Sequence, residues 1–203
     1  MTPPKTVFRP DTVFRPDSVT KLANTLCVSI LTILLSSTTL LSQELPQNGQ
    51  IINGTGSIAH NGTDMSITQN SLDLDIDWNS FSIGAQNTVT FKQPSATSTA
   101  LNRVTGTQTS AIHGKMTANG RVVLINPNGV MFGAGAQVNV GSLVTSTLGL
   151  SKSGSTYRFE GDSAAAIANA GQITTQDGGT IALIAAKITN TGSLTAPGGT
   201  VAL

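Results

Sequence analysis

The sequence is poor in charge, in aromatic residues and in cysteine. Charged residues make up 10% of the 203-residue chain, against about 25% in typical soluble domains, and aromatic residues only 4%. A net charge of +1 excludes the basic surface typical of nucleic-acid-binding proteins. Abundant Val, Ile and Thr exclude a disordered chain. Small and β-branched residues, with 21 glycines, favour regular strands over helices.

The only cysteine, Cys27, lies in an uncharged apolar segment, Leu22–Leu41. Arg9 and Arg15 precede that segment. A positive region followed by a short apolar core predicts a secretory signal peptide over residues 1–43, recognised by the general secretion machinery of the inner membrane. A transmembrane anchor is the alternative, because about 20 uncharged residues can span a bilayer. The serines and threonines of Ser36–Thr39 weaken that alternative, and a cleaved leader would leave a mature chain without disulfides.

Internal repeats run through the C-terminal part of the chain. Ile167–Leu183 (IANAGQITTQDGGTIAL) and Ile188–Leu203 (ITNTGSLTAPGGTVAL) match at a spacing of 20 or 21 residues, and Ile112–Leu124 is an earlier copy. A period near 20, with short alternating strands and glycine-bearing corners, predicts a β-solenoid. Such a coil buries its apolar row only by stacking on the next coil, so the fold class is all-β.

An acidic row marks the strand-like segment LDLDIDW (Leu72–Trp78). Alternation places Leu72, Leu74, Ile76 and Trp78 on one face and the three aspartates on the other. A calcium-binding loop is excluded, because Trp78 stands at the sixth position, where an EF-hand needs glycine. We expect a solvated strand face whose charges also protect a sheet edge against aggregation.

The sequence carries no catalytic, cofactor-binding or metal-binding signature. The two histidines, His60 and His113, have no Cys, Asp or Glu at ligand spacing and are expected at the surface or in corners. Parallel β-helices do include polysaccharide-cleaving enzymes, which need clustered carboxylates. Here Glu160 and Asp162, with Arg158 nearby, are explained by a local loop, so we predict that the chain is not an enzyme and needs no cofactor.

The sharpest turn signal is Asn126-Pro127-Asn128-Gly129, which separates two strand-like segments. Pro127 fixes φ at the second position of a turn, the Asn126 side chain can accept a backbone N–H, and Asn128 or Gly129 tolerates positive φ. The tetrapeptide is therefore predicted to turn the chain between two stacked strands. Loss of such a turn costs about 1 kcal/mol.

Four segments together resemble the N-terminal secretion domain of the filamentous haemagglutinin family, which Gram-negative bacteria export by two-partner secretion. The resemblance implies a right-handed parallel β-helix with N-terminal capping strands. It also implies recognition by the periplasmic domains of a partner outer-membrane β-barrel transporter, with Asn126, Pro127, Asn128 and Gly129 matching the family's secretion motif. The matching segments are GTGSIAHNGTDMSITQNS (Gly54–Ser71), IDWNSFSIGAQNTVTF (Ile76–Phe91), ALNRVTG (Ala100–Gly106) and GKMTANGRVVLINPNGVMFGAGAQVNVGSLVTSTL (Gly114–Leu148).

One departure from the family pattern lies upstream of the main motif. Many members carry an earlier Asn-Pro motif, whereas Gly106–Ser110 reads GTQTS here, so no recognition role is carried over to that segment. The charge and hydropathy pattern, the resemblance and the repeats together predict a signal peptide in residues 1–43, a secretion domain in residues 44–150, and continuing β-helix coils in residues 151–203.

Three functions follow as expectations. The first is a secretion-targeting domain of a large exported adhesin or toxin, located outside a Gram-negative cell, whose downstream regions contact the host cell surface. The second is a β-helix that itself binds glycans or cells, which exposed aromatic residues would support. The third, a β-helical carbohydrate enzyme, needs a groove with paired carboxylates. Because Leu203 ends on an apolar repeat position without a cap, further coils or self-association are expected.

Overall fold

A computed structural model describes residues 44–153 and 156–203, which fall within a single compact unit, Leu41–Leu203. The predicted signal peptide, including Cys27, lies outside the described residues. The described chain is built of twenty strands and contains no helix. Consequently, residues 44–153 and 156–203 include no helical segment capable of crossing a bilayer.

Three parallel faces surround the core of the solenoid. Each coil contributes one strand to face I, then one to face II, and most coils contribute a third to face III. Face I contains β3 (Asp64–Gln69), β5 (Thr88–Lys92), β8 (Lys115–Ala118), β11 (Gln137–Val140), β16 (Gln172–Thr175) and β19 (Ser193–Thr195). Face II contains β4 (Asp73–Trp78), β6 (Thr99–Val104), β9 (Arg121–Ile125), β12 (Ser142–Ser146), β17 (Thr180–Ile184) and β20 (Thr200–Ala202). Face III contains β7 (Ser110–Ile112), β10 (Val130–Phe132), β15 (Ala166–Asn169) and β18 (Lys187–Asn190).

The core is made of columns of apolar side chains that stack from coil to coil. On face I, one column joins six residues in register: Met65, Val89, Met116, Val138, Ile173 and Leu194. The first five of these are fully or almost fully buried. This arrangement confirms the predicted parallel β-solenoid, because each coil buries its apolar row only against its neighbours.

The predicted period holds where the repeats were seen in the sequence. Asn169 pairs in register with Asn190, 21 residues later, and Thr180 with Thr200, 20 residues later. Earlier coils are longer: Met65 and Val89 are 24 residues apart. The extra residues are accommodated in the corners and leave the strand register intact.

Two antiparallel strands cap the N-terminal end of the solenoid. β1 (Gln50–Asn53) pairs with β4, and β2 (Gly56–Asn61) pairs with β3. The segment before β1 crosses the first coil: Leu45 is 5% exposed, and a Cβ at Gly49 would contact the Trp78 ring. The capping strands implied by the resemblance are therefore confirmed, and they shield an end that would otherwise expose apolar side chains.

The acidic row differs from its prediction in two ways. Leu74, Ile76 and Trp78 are buried as expected, but Leu72 precedes the strand and is 66% exposed. Strand β4 lies between β1 and β6, so its aspartates do not protect a sheet edge. They are only partly exposed, and Asp77 forms an ion pair with Arg103 on the neighbouring strand (Oδ1–Nε, 3.2 Å).

Buried amides interrupt the apolar columns at several points. The Asn102 side chain is 0% exposed, and its Oδ1 accepts a hydrogen bond from the indole N–H of Trp78 at 3.0 Å. Gln93 donates to the Gln69 side chain at 3.1 Å and accepts the Gly120 N–H at 2.9 Å. Because buried polar groups are costly without partners, these pairs favour a single register between successive coils.

A column of glycines lies at the corner between faces I and II. Gly120, Gly141, Gly179 and Gly199 occupy this corner in successive coils. A Cβ built on Gly141 would lie 2.6 Å from the Gly120 carbonyl oxygen, and those on Gly179 and Gly199 would clash with the preceding glycine's carbonyl. Only residues without a side chain allow the backbones to approach this closely.

A β-hairpin is inserted in the fourth coil, between faces II and III. It consists of β13 (Gly149–Ser153) and β14 (Thr156–Glu160), which pair only with each other. The local loop predicted around Arg158 and Glu160 is thus a strand of this hairpin. Their side chains form an exposed ion pair at 3.1 Å, which confirms a local explanation for the charge cluster.

Candidate functional site

The Asn-Pro-Asn-Gly turn (Asn126–Gly129) forms the corner between faces II and III in the third coil. It joins β9 to β10, which belong to different sheets, so the two strands are not stacked on each other as expected. The Gly129 N–H donates to the Asn126 carbonyl at 3.1 Å, and the Asn128 N–H donates to Asn126 Oδ1 at 2.9 Å. Gly129 has φ +104°, a region that favours glycine. The local turn chemistry follows the sequence prediction.

Asn126 is the central residue of the turn and is 0% exposed. Its Nδ2 donates to the Gln108 carbonyl and to Ser110 Oγ, both at 2.9 Å, in the preceding coil. Its backbone N–H donates to the Ser146 carbonyl of the following coil at 3.0 Å. One asparagine therefore connects three successive coils.

Asn128 strengthens the contact with the preceding coil. Its Nδ2 donates to the Gly106 carbonyl at 2.9 Å, and its own carbonyl accepts a hydrogen bond from Thr109 Oγ1 at 2.8 Å. The Ser110 N–H donates to the Gly129 carbonyl at 3.0 Å. Four residues of the Gly106–Ser110 segment, which lacks an Asn-Pro motif, thus bind the turn through backbone and hydroxyl groups.

The following coil contacts the turn from the other side. Ser163 Oγ donates to the Pro127 carbonyl at 2.7 Å, and a Cβ on Gly129 would lie 3.1 Å from the Ala166 carbonyl. The Pro127 ring remains exposed and Asn128 partly exposed. The turn consequently has a buried, hydrogen-bonded side and a small outer surface at Pro127 that a partner could contact.

Sequence reasoning identified the turn but missed its supporting residues. Gln108, Ser110 and Ser163 lie 16 to 36 residues from the groups of the turn that they contact, and no local pattern distinguishes them from other polar corner residues. The destabilisation of about 1 kcal/mol expected from the sequence applies to a turn without contacts to other coils. The burial of Asn126 raises the expected loss of stability, because removing its amide leaves several buried partners unsatisfied.

Residues 44–153 and 156–203 contain no group of three or more His, Cys, Asp or Glu able to hold a metal ion. His60 lies exposed on β2, and His113 lies in a corner where Gly133 packs against its ring. Among the described aromatic residues, Trp78 is buried and Tyr157 is 40% exposed.

Comparison with known proteins agrees with this geometry. The profile of the TPS (two-partner secretion) secretion domain matches residues 38–203. The Heme/hemopexin-binding protein of Haemophilus influenzae strain Rd is 43% identical over 129 residues, covering 64% of this chain and 14% of that protein. A second Haemophilus influenzae protein of the same name is 39% identical over 140 residues, covering 67% of this chain and 15% of the relative. The chain therefore spans about one seventh of these relatives' length.

A solved structure shares the fold. The crystal structure of the HMW1 secretion domain from Haemophilus influenzae superposes with a TM-score of 0.65 at 33% identity, over 72% of this chain and 41% of that one.

The capped parallel β-helix with a buried asparagine corner defines a protein of the parallel β-solenoid class. The chain belongs to the TPS secretion domain family. That membership makes it a secretion-targeting domain, and it implies a partner transporter in the outer membrane and export from a Gram-negative bacterium. Family and fold together point to a non-enzymatic role.

Proposed function

We propose that this chain directs a longer exoprotein to a partner outer-membrane β-barrel transporter, whose periplasmic domains bind the solenoid around the Asn-Pro-Asn-Gly turn. Residues 1–43 serve as the signal peptide for the inner membrane. Residues 44–150 form the recognised domain, and residues 151–203 continue the β-helix. The single observation that carries the proposal is the turn itself: its asparagines are anchored in three coils while Pro127 stays exposed.

Outside the cell, the domain would provide the first coils on which later coils fold. Its N-terminal cap closes one end, and its columns of apolar residues define the register for stacking. Because each solenoid coil interacts chiefly with its neighbours, folding can propagate from a preformed template. The exported passenger is proposed to be an adhesin or toxin that acts at the host surface.

A second candidate concerns the passenger. Two relatives that share this domain are named Heme/hemopexin-binding proteins, and the domain covers only 14% and 15% of them. A passenger that binds haem or hemopexin is therefore the alternative to an adhesin or toxin. Binding of the passenger region to haem or hemopexin, measured apart from the secretion domain, distinguishes the two.

Exchange of exposed prolines tests the recognition surface. Pro127→Glu places a charge on the outer surface of the turn without removing a side-chain hydrogen bond, so export through the transporter should fall at least tenfold. Pro197→Glu is the matched control, because Pro197 is also an exposed proline in a glycine-bearing corner of face I. Export is measured as the fraction of chain in the medium, and thermal unfolding of both variants verifies the fold.

The two variants should have similar melting temperatures and different export. If Pro127→Glu is exported as efficiently as Pro197→Glu, the turn is a structural corner that the transporter does not contact.

A further inference from the structure

The outer surface of face II carries an apolar stripe that the hairpin covers only in part. Leu101, Val123 and Val144 point away from the core and lie in register on three adjacent strands. Val123 is only 7% exposed although it is on the outside of the solenoid. An outward apolar row on a parallel sheet is unusual unless something packs on it, and here the hairpin does so.

A cleft remains between the hairpin and this stripe. It encloses a cavity of about 390 Å³ whose floor includes Val123 and Val144 and whose walls include Leu150, Tyr157 and Phe159. The size falls within the range of pockets that hold small organic molecules. An apolar floor with an aromatic wall favours a ligand that has a hydrocarbon body.

Among the described residues, Arg121 is the charged residue that lines this cavity, while Asp73, Asp75 and Arg103 line the adjoining space beside Leu101. Arg121 is exposed at its rim, and within the described part of the chain its guanidinium forms no ion pair. The nearby Arg103, by contrast, is already paired with Asp77 at 3.2 Å. A guanidinium binds carboxylates with paired hydrogen bonds. Its position beside the hydrocarbon-lined floor selects a ligand with one anionic end.

We propose that the cleft between the β13–β14 hairpin and face II binds an amphipathic carboxylate of medium chain length, with the alkyl chain on Val123 and Val144 and the carboxylate on Arg121. The alkyl chain displaces water from the outer valines, and the wall residues of the hairpin close over it. Bound ligand would also hold the hairpin against the solenoid, because a lone two-stranded hairpin has little stability of its own.

Binding of decanoate to the 203-residue chain tests the site. Affinity should rise about fourfold for each methylene added between octanoate and decanoate, and decanoate should bind more tightly than decanamide of the same length. Arg121→Gln should reduce decanoate affinity about tenfold and remove the preference over decanamide. Lys115→Gln, an exposed cation on face I, is the control and should leave both unchanged.

A photoreactive diazirine analogue of decanoate locates the site by mass spectrometry. Labelled peptides should contain Val144, Leu150 or Phe159, and Val144→Thr, which keeps the shape of the floor but makes it polar, should reduce the labelling. Thermal unfolding of each variant shows that it is folded. Retention of the carboxylate preference in Arg121→Gln, or labelling confined to the last coil around Leu203 or to residues 1–43, would overturn the proposal.

Discussion

Asn126 shows how one side chain can determine both a turn and the stacking of coils. Its amide is fully buried and bonded to Gln108 and Ser110, while its Oδ1 accepts the Asn128 N–H. In a peptide the same residue would only start a turn. In the solenoid it also fixes the position of the second coil relative to the third, so its loss has structural as well as recognition consequences.

Substitution of Asn126 should therefore destabilise the fold far more than substitution of its neighbours. We expect Asn126→Ala to lower the free energy of unfolding by about 3 kcal/mol, because several buried groups lose their partner. Pro127→Ala, at an exposed position, should change it by less than about 1 kcal/mol. Urea denaturation followed by Trp78 fluorescence measures both, and equal losses would contradict the assigned role of the buried amide.

Asn128 offers a second comparison at the same scale. It is partly exposed, and its Nδ2 donates to the Gly106 carbonyl and to Asn126 Oδ1. Asn128→Ala should cost about 1 kcal/mol, since water can reach the freed groups. If export through the transporter falls much more than this loss explains, the outer surface of the turn is recognised. Export that follows stability across all turn variants would indicate a purely structural turn.

At the scale of the element, the corners between faces I and II depend on backbone contact. The glycine column lets each coil approach the carbonyl of the preceding one. Beside it, the Gln93 side chain donates to Gln69 Oε1 and accepts the Gly120 N–H. Strand positions vary in side chain, whereas this corner is glycine in each of the last four coils; the first two coils have Leu72 and Ser98 there. At Gly141, Gly179 and Gly199 the close approach of the backbones leaves no room for a Cβ, so glycine is required for this coil spacing.

Gly141→Ala tests this contact. The added Cβ would lie 2.6 Å from the Gly120 oxygen, so the coils must separate, and we expect a loss of about 2 kcal/mol in stability. Gly135→Ala is the matched control. A Cβ at Gly135 would have its nearest neighbour, the His113 carbonyl oxygen, at 3.2 Å, and the residue lies in an exposed corner. Chemical denaturation of both variants should show a clear difference; similar stabilities would mean that the coils adjust freely.

At the scale of the whole molecule, much of the solenoid was predictable from the sequence. Alternation identified Leu74, Ile76 and Trp78 as inward residues, and the 20- and 21-residue spacings gave the correct partners for Asn169 and Thr180. Both features repeat locally, and so both are visible in a single sequence.

Other features depend on contacts between distant coils and could not be predicted. Nothing near Leu72 indicates that β4 begins one residue later and leaves it 66% exposed. The burial of Asn102 depends on Trp78, 24 residues earlier. The role of Ser163 depends on an inserted hairpin that brings it to Pro127. Pairing across coils, rather than local propensity, decides each of these positions.

The proposed function requires that the solenoid is exported only through a partner transporter. The most direct measurement is the amount of epitope-tagged 203-residue chain in the medium of Gram-negative cells that either produce or lack its cognate two-partner transporter. We predict tagged chain in the medium only when the transporter is present, and retention or degradation in the periplasm when it is absent. Equal amounts in the medium under both conditions would contradict it.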